Sequence, residues 1–303
     1  MDRILRLGTR GSPLAVTQAN MVRDALIATH GLASEQIEIV TVKTSGDRIQ
    51  DRPLAEVGGK ALWTKELDLA LGEGRIDFAV HSMKDVETIR PDEIVIAAML
   101  PRADVRDRLI GPPSIEAIAR GGRIGTSSPR RTAQMRRLRP DCEVVLFRGN
   151  VDTRLAKLRD GEADATLLAA AGLDRLGKGG IGVAIEIETM LPAPSQGAVG
   201  IETRRDDDTV RALIGAIDHA ATSLCVRAER ALLARLGGDC RSPMAALAVP
   251  QGSDMLLRAE ILSPDGDESE AGEAVIGDAS EAADLAAELL SRASPSLRAH
   301  FAG

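Results

Sequence analysis

Short aliphatic runs alternate with polar-capped helical segments along the first two thirds of this chain, and that alternation restricts the fold more than any other feature. Ile4–Leu7 reads as a strand. Ser12-Pro13 opens a helix, serine as cap and proline in its first turn, whose apolar face runs through Leu14, Gln18, Met21/Val22 and Ala25/Leu26 as far as Gly31. IEIVTV at 37–42 is the next strand, followed by a helix over Thr64–Leu71 and strands over Ile76–Val80 and Ile94–Met99. After Pro101 the rhythm repeats: helix Ser114–Ala119, strand Arg123–Thr126, helix from Ser128-Pro129, strand Glu143–Phe147, helix from Asn150, strand Ala165–Leu168, helix Ala170–Leu176. Two α/β lobes with parallel or mixed sheets follow from this pattern. LPAPSQGAVGIETR at 191–204 reads as a hinge. Helical stretches at 206–218 and 222–236 come next, then strands near 245–249 and 255–262 and a helix near 281–292, which make a smaller α+β domain. The layout divides into a first lobe of 1–99 with 200–218, a second lobe of 104–195 and a C-terminal domain of 222–303.

Several functional classes drop out on composition. Lys and Arg number 38 against 45 Asp and Glu, a net −7, so the chain has no general attraction for nucleic acid or anionic membranes. Three Phe, one Trp and no Tyr are too few for a base-stacking platform. MDRILRLGTRGSP has no apolar signal-like core, and runs such as IVIAAML are far below the roughly 20 residues that span a bilayer. A cytoplasmic location is the expectation. Cys142, Cys225 and Cys240 fit neither a disulfide framework nor a CxxC site, and His30, His81, His219 and His300 are as scattered, so no metal site is expected.

Charge is concentrated by segment. Residues 120–160 hold eleven basic and four acidic side chains, a net +7, whereas 251–303 hold three basic and eleven acidic, a net −8. Within the basic stretch, GTSSPRR puts Arg130 and Arg131 in the first turn of a helix, and RGNVDTR puts Arg148 at a strand end and Arg154 one turn into the next helix. Arginine there opposes the helix dipole, which points to a compensating anion; free N–H groups and guanidinium forks make such a place suited to carboxylate or phosphate. The alternative is a solvated basic face, the better reading for Arg136, Arg137 and Arg139. Arg10-Gly11-Ser12-Pro13 repeats the design in the first lobe. HSMKD at 81–85 follows the apolar strand IDFAV and so lies at a strand's carboxyl end, where open α/β sheets place ligands; by itself it reads more readily as a polar turn than as a catalytic motif, with His81 satisfied by a neighbour rather than acting as a base. Cys240, in GGDCRSP, stands between glycines and a proline, the context of a loop nucleophile, although cysteine is also a common core residue.

Taken in order, RGSPLA (10–15), VGGKALWTKELD (57–68), HSMKD (81–85), GTSSPRR (125–131), RGNVDTRL (148–155), AAAGLDRLG (169–177), PSQGAVGIE (194–202) and ERALLARLGGDC (229–240) resemble the porphobilinogen deaminase (hydroxymethylbilane synthase) family over nearly the whole chain. The resemblance implies two periplasmic-binding-protein-like lobes, hinged near 99–104 and 196–202, and a third domain. It implies a transferase that condenses four porphobilinogen molecules head to tail into hydroxymethylbilane, releasing ammonia, on a dipyrromethane primer joined to Cys240 by a thioether. Asp85 matches the catalytic aspartate. Lys84, Ser82, Thr126, Ser128, Arg130, Arg131 and Arg148 match groups that hold the primer; Arg10, Ser12, Arg148, Arg154, Arg175 and Gln196 match groups that hold substrate; Lys60 matches a lysine of the lid. A monomer with no nucleic-acid or membrane partner is implied. Three positions depart from the family's pattern: Glu56 in place of a second lid lysine, Glu87 in place of a proline after HSMKDV, and Asp239 in place of a small residue before the cysteine. Two rival readings are a non-catalytic binding protein for a carboxylated ligand and a paralogue that binds tetrapyrrole without turnover.

Overall fold

Why the aliphatic runs become strands is plain from their partners in the computed structural model, which describes residues 3–44, 64–238 and 242–301. The chain divides into two units, with boundaries at Ala103/Asp104, Gln196/Gly197 and Ser223/Leu224. In the first unit, β1 (Leu5–Arg10), β2 (Ile37–Val42), β3 (Phe78–Ser82), β4 (Ile94–Met99) and β10 (Val199–Arg204) form one sheet in the order β2-β1-β3-β10-β4. β1 pairs in parallel with β2 and β3, and β10 runs antiparallel to β3 and β4. The carboxyl ends of β1, β3 and β4 therefore share an edge with the start of β10. Helix α1 (Pro13–His30) buries Val22 and Leu26 against Leu5, Leu7, Phe78 and Val80, while α2 (Lys65–Gly72) buries Leu67 and Leu71 with Ile76, Ala79 and Ile94.

The second unit contains two sheets. One holds β5 (Asp107–Ile110), β6 (Arg123–Thr126), β7 (Glu143–Leu146), β8 (Ala165–Ala169) and β9 (Val183–Ala184) in the order β7-β6-β8-β5-β9, mixed because β5 is antiparallel to β8. Helices α3 (Pro129–Leu138), α4 (Val151–Arg159) and α5 (Ala170–Arg175) each begin just past a strand of this sheet. The other is an antiparallel sheet of β11 (Met244–Gln251), β12 (Asp254–Leu262) and β13 (Ser269–Ile276), whose apolar face packs Leu257 and Ile261 on Leu232 and on Leu289 of α6 (Ala282–Arg292). The two-lobed α/β layout and the smaller C-terminal domain are thus present.

Three local expectations change. Residues 114–119 form turns rather than a helix: Pro112-Pro113 before and Gly121-Gly122 after leave room for little more than one turn, held by bonds from Ala117 and Ile118 back to Ser114 and Ile115. The stretch 199–204, expected to be part of a hinge, is β10, a central strand. Asp107–Ile110, Val183–Ala184 and Ser269–Ile276, to which the periodicity assigns no element, are β5, β9 and β13.

Candidate active site

In the first unit, Arg10 ends β1 and Ser12 caps α1, its Oγ accepting the Ala15 N–H at 3.3 Å. Ser82 ends β3 at the same edge and accepts a hydrogen bond from the buried Gln18 amide of α1 at 2.8 Å. The chain then turns through a single 3-10 turn, Met83–Asp85. Met83 is buried against Gly200 of β10, where a Cβ would collide with its sulfur, and its N–H donates to Ala198 O at 3.1 Å. That anchor leaves Lys84 and Asp85 half-buried at the edge. Among the described residues the Asp85 carboxylate makes no hydrogen bond or ion pair.

Behind this turn lies a buried charged network. His81 Nε2 approaches Glu202 Oε2 to 3.2 Å. Glu202, fully buried, accepts from Arg90 Nε at 2.7 Å and Nη2 at 3.0 Å. Arg90 also donates to Asp68 at 2.5 Å and, through Nη1, to Glu87 at 2.7 Å, and Thr64 Oγ1 donates to the same Glu87 oxygen at 2.7 Å. Burial works against the charge on Glu202, but the His81 ring and then the Arg90 guanidinium outweigh it and hold the carboxyl at about 2. Burial raises Asp68, with Arg90 opposing. Glu87, a departure from the family's pattern, is accounted for here: it is a partner of Arg90.

In the second unit, Asp107 opens β5 directly opposite Ala169 at the end of β8, so its carboxylate lies at the edge from which α3, α4 and α5 depart. Arg130 Nη2 reaches Asp107 Oδ2 at 2.8 Å and Arg131 Nη2 reaches Oδ1 at 2.7 Å. Gln196 Nε2 donates to the same Oδ1 at 2.9 Å and to Val105 O at 2.7 Å. Arg131 also donates to Leu167 O at 2.8 Å, and Arg130 to Gln134 Oε1 at 2.9 Å and Leu191 O at 3.0 Å. Both arginines are buried, so neither belongs to a solvated face. The anion that their position called for is, in the first instance, internal. Burial would raise Asp107, yet Arg130 and then Arg131 hold it well below the usual carboxylate range; burial in turn lowers Arg130, with Asp107 opposing. Thr126 Oγ1 accepts the Ser128 N–H at 3.2 Å, and Ser128 Oγ caps α3 by accepting the Arg131 N–H at 3.4 Å.

Arg148 is buried between β7 and α4. Gly149, next to it, has φ +110, a conformation unfavourable to L side chains, and a Cβ there would lie 2.7 Å from Thr153. Asn150 caps α4 by accepting the Thr153 N–H at 2.9 Å, and Arg154 donates to Gly149 O at 3.0 Å. Arg175 closes α5, where burial lowers its guanidinium against the opposing charge of Asp174. Arg136 and Arg139 bond to Pro264 O and Asp141, and Arg137 pairs with Glu260, all three structural. Lys60, Glu56, Asp239 and Cys240 lie outside the described residues. Sequence reasoning missed Asp107 and Glu202. Glu202 is a lone acid in an otherwise apolar run, which was its one available signal; Asp107, between Arg106 and Arg108 and close to Asp104, offered none.

These features define a multidomain α/β protein with a carboxylate turn at one sheet edge and guanidinium-rich helix starts at another. Residues 5–212 match the family model described as porphobilinogen deaminase, dipyrromethane cofactor binding domain, and residues 223–293 match porphobilinogen deaminase, C-terminal domain. The porphobilinogen deaminase of Sphingopyxis alaskensis is 60% identical over 307 residues, covering 99% of this chain and 98% of that protein. That of Paracoccus denitrificans is 51% identical over 296 residues, covering 95% and 94%. Among solved structures, a periplasmic substrate-binding protein of an ABC transporter from Coxiella burnetii is similar over 71% of this chain and 92% of its own, with 13% identity and a TM-score of 0.43. The chain belongs to the porphobilinogen deaminase family.

Proposed function

We propose that the chain condenses four porphobilinogen molecules head to tail into hydroxymethylbilane, releasing ammonia at each addition, on a dipyrromethane cofactor joined by a thioether to Cys240. Membership of the family at 60% identity over almost the full length carries this reading. The donor set is chemically suited to the cofactor. Its two pyrrole rings each bear an acetate and a propionate, and the elements leaving the second unit's edge carry Arg130, Arg131, Arg148, Arg154 and Arg175, with the buried carboxylate Asp107 beside the first two. Asp152 and Asp174, on the same helices, are engaged by Lys178 and Arg108. Guanidinium forks suit carboxylates geometrically, and helix starts add N–H donors of the same sign.

In this reading Lys84, Ser82, Thr126, Ser128, Arg130, Arg131 and Arg148 hold the cofactor, Arg10, Ser12, Arg148, Arg154, Arg175 and Gln196 hold substrate carboxylates, and Lys60 belongs to a lid. When bound, dipyrromethane would supply the electron-rich free α-carbon to which the first porphobilinogen is joined, each later unit joining the α-carbon of the ring added before it. Asp85 acts on the incoming porphobilinogen. Loss of ammonia from its aminomethyl group leaves a cationic azafulvenium, and a fixed carboxylate near the pyrrole N–H stabilises the charge as it develops. The same oxygen can relay the proton lost from the α-carbon once the new bond has formed. Arg130 and Arg131, each tied to Asp107, are held rigid, so little rotamer freedom is lost when they meet a ligand carboxylate.

The domain roles follow: 1–99 with 200–218 carries Asp85, 104–195 carries the arginines, and 222–303 carries Cys240. Among the described residues no helix is long and apolar enough to cross a membrane, and we take the enzyme to work as a cytoplasmic monomer. Ammonia and product measured together test the reaction. Four ammonia molecules per hydroxymethylbilane are expected, and binding of porphobilinogen with no ammonia released would favour the paralogue that only binds.

A further inference from the structure

The ten residues from His81 to Arg90 run from the end of β3 through the Met83–Asp85 turn and a following loop; they contain Ser82, Lys84 and Asp85, and one buried carboxylate touches both ends of the segment. Glu202 Oε2 is 3.2 Å from His81 Nε2 at the start of the segment, while Oε1 and Oε2 accept from Arg90 Nε and Nη2, at 2.7 and 3.0 Å, at its end. The sheet register makes this possible. Gly200 pairs with His81 and Glu202 with Ala79, so the side chains of His81 and Glu202 lie diagonally on one face, the face covered by α2. Arg90 also donates to Asp68 in the first turn of α2, to Glu87 and, at 3.2 Å, to Thr64 Oγ1.

We propose that Glu202 and Arg90 are positioning residues for the reaction: by pinning both ends of the 81–90 segment they fix the placement of the Asp85 carboxylate. The cluster is an expensive way to achieve stability alone, because an apolar packing of similar volume would serve as well or better. Its retention in an aliphatic neighbourhood is accounted for by orientation. Asp85 has no hydrogen bond of its own among the described residues, so its direction depends on how the segment is held. Misplacement of a catalytic group by about 1 Å can cost on the order of 100-fold in rate.

The inference rests on Asp85 being the catalytic carboxylate, and the test separates the two. Cofactor-loaded Glu202→Gln, Arg90→Lys and Asp85→Asn enzymes are compared with the wild type for kcat per loaded site, KM for porphobilinogen and thermal midpoint. Glu202→Gln is expected to lower kcat about 10- to 100-fold with KM within about twofold. Arg90→Lys keeps the charge but not the fork, and is expected to retain more of kcat than Glu202→Gln while remaining below wild type. Wild-type kcat in Glu202→Gln, whatever the loss in melting temperature, overturns the positioning role, as does a change confined to KM. If Glu202→Gln does not fold, Arg90→Lys decides by the same criteria. An inactive Asp85→Asn beside a fully active Arg90→Lys sinks this inference alone, whereas a fully active Asp85→Asn removes its foundation.

Discussion

Asp85→Ala is expected to fold normally and to lose turnover by about 100- to 10,000-fold, the range for removal of a positioned general acid–base group. Folding should be spared because the carboxylate has no hydrogen bond or ion pair among the described residues and is only half-buried, so truncation deletes no structural contact. Turnover should collapse because no other carboxylate lies in the Met83–Asp85 turn to take over stabilisation of the azafulvenium. Stopped-flow ammonia release with a parallel thermal melt checks both halves. An active Asp85→Ala would refute the assigned role, and an unfolded one would mean that the turn depends on the carboxylate in a way the contacts do not reveal.

The second large effect concerns Asp107. It sits fully buried between two guanidiniums and an amide, and Asp107→Asn leaves Arg130 and Arg131 facing a neutral group. Breaking a buried pair by removing one charge costs about 3–5 kcal/mol, so the urea midpoint should fall accordingly near neutral pH. The sign with pH follows from linkage. The folded carboxyl is depressed below the ordinary aspartate value of 3.8, so the unfolded state takes up the proton first as pH falls. Its contribution is fully present above that value and disappears as pH drops below it. The gap between wild type and Asp107→Asn should therefore be constant from pH 7 to about 5 and narrow below 3.8. A gap that widens on acidification would contradict the pairing.

The strand-to-helix joints could be read from the sequence because their chemistry is local. Ser12, Ser128 and Asn150 each cap the helix assigned to them, two of the three with proline at the next position. β10 escaped because a strand buried on both faces shows no alternation, and VGIETR, rich in small residues after PSQG, resembles a hinge. β13 escaped for the opposite reason: one face is exposed, and its less exposed positions run Glu270, Gly272 and Ala274 before the one branched residue among them, Ile276. The arginines stood out because their position conflicts with the helix dipole, a conflict visible in sequence. What they meet was not visible, since Asp107 lies some twenty residues earlier and is brought to the edge only by the antiparallel entry of β5. Glu202 is a similar case. Its partners His81 and Arg90 come from a strand and a loop more than a hundred residues away, so nothing near it in sequence explains a buried carboxylate.

The covalent attachment at Cys240 separates a self-primed polymerase from a binding protein more sharply than any activity measurement. Intact-mass spectrometry of the purified chain, with peptide mapping, reads it directly. The account predicts a species heavier than the sequence mass by two porphobilinogen units, each less one ammonia, with the increment localised to Cys240 and absent from Cys240→Ser. An unmodified chain that stays unmodified after incubation with porphobilinogen, or an increment on Cys142 or Cys225, would contradict it.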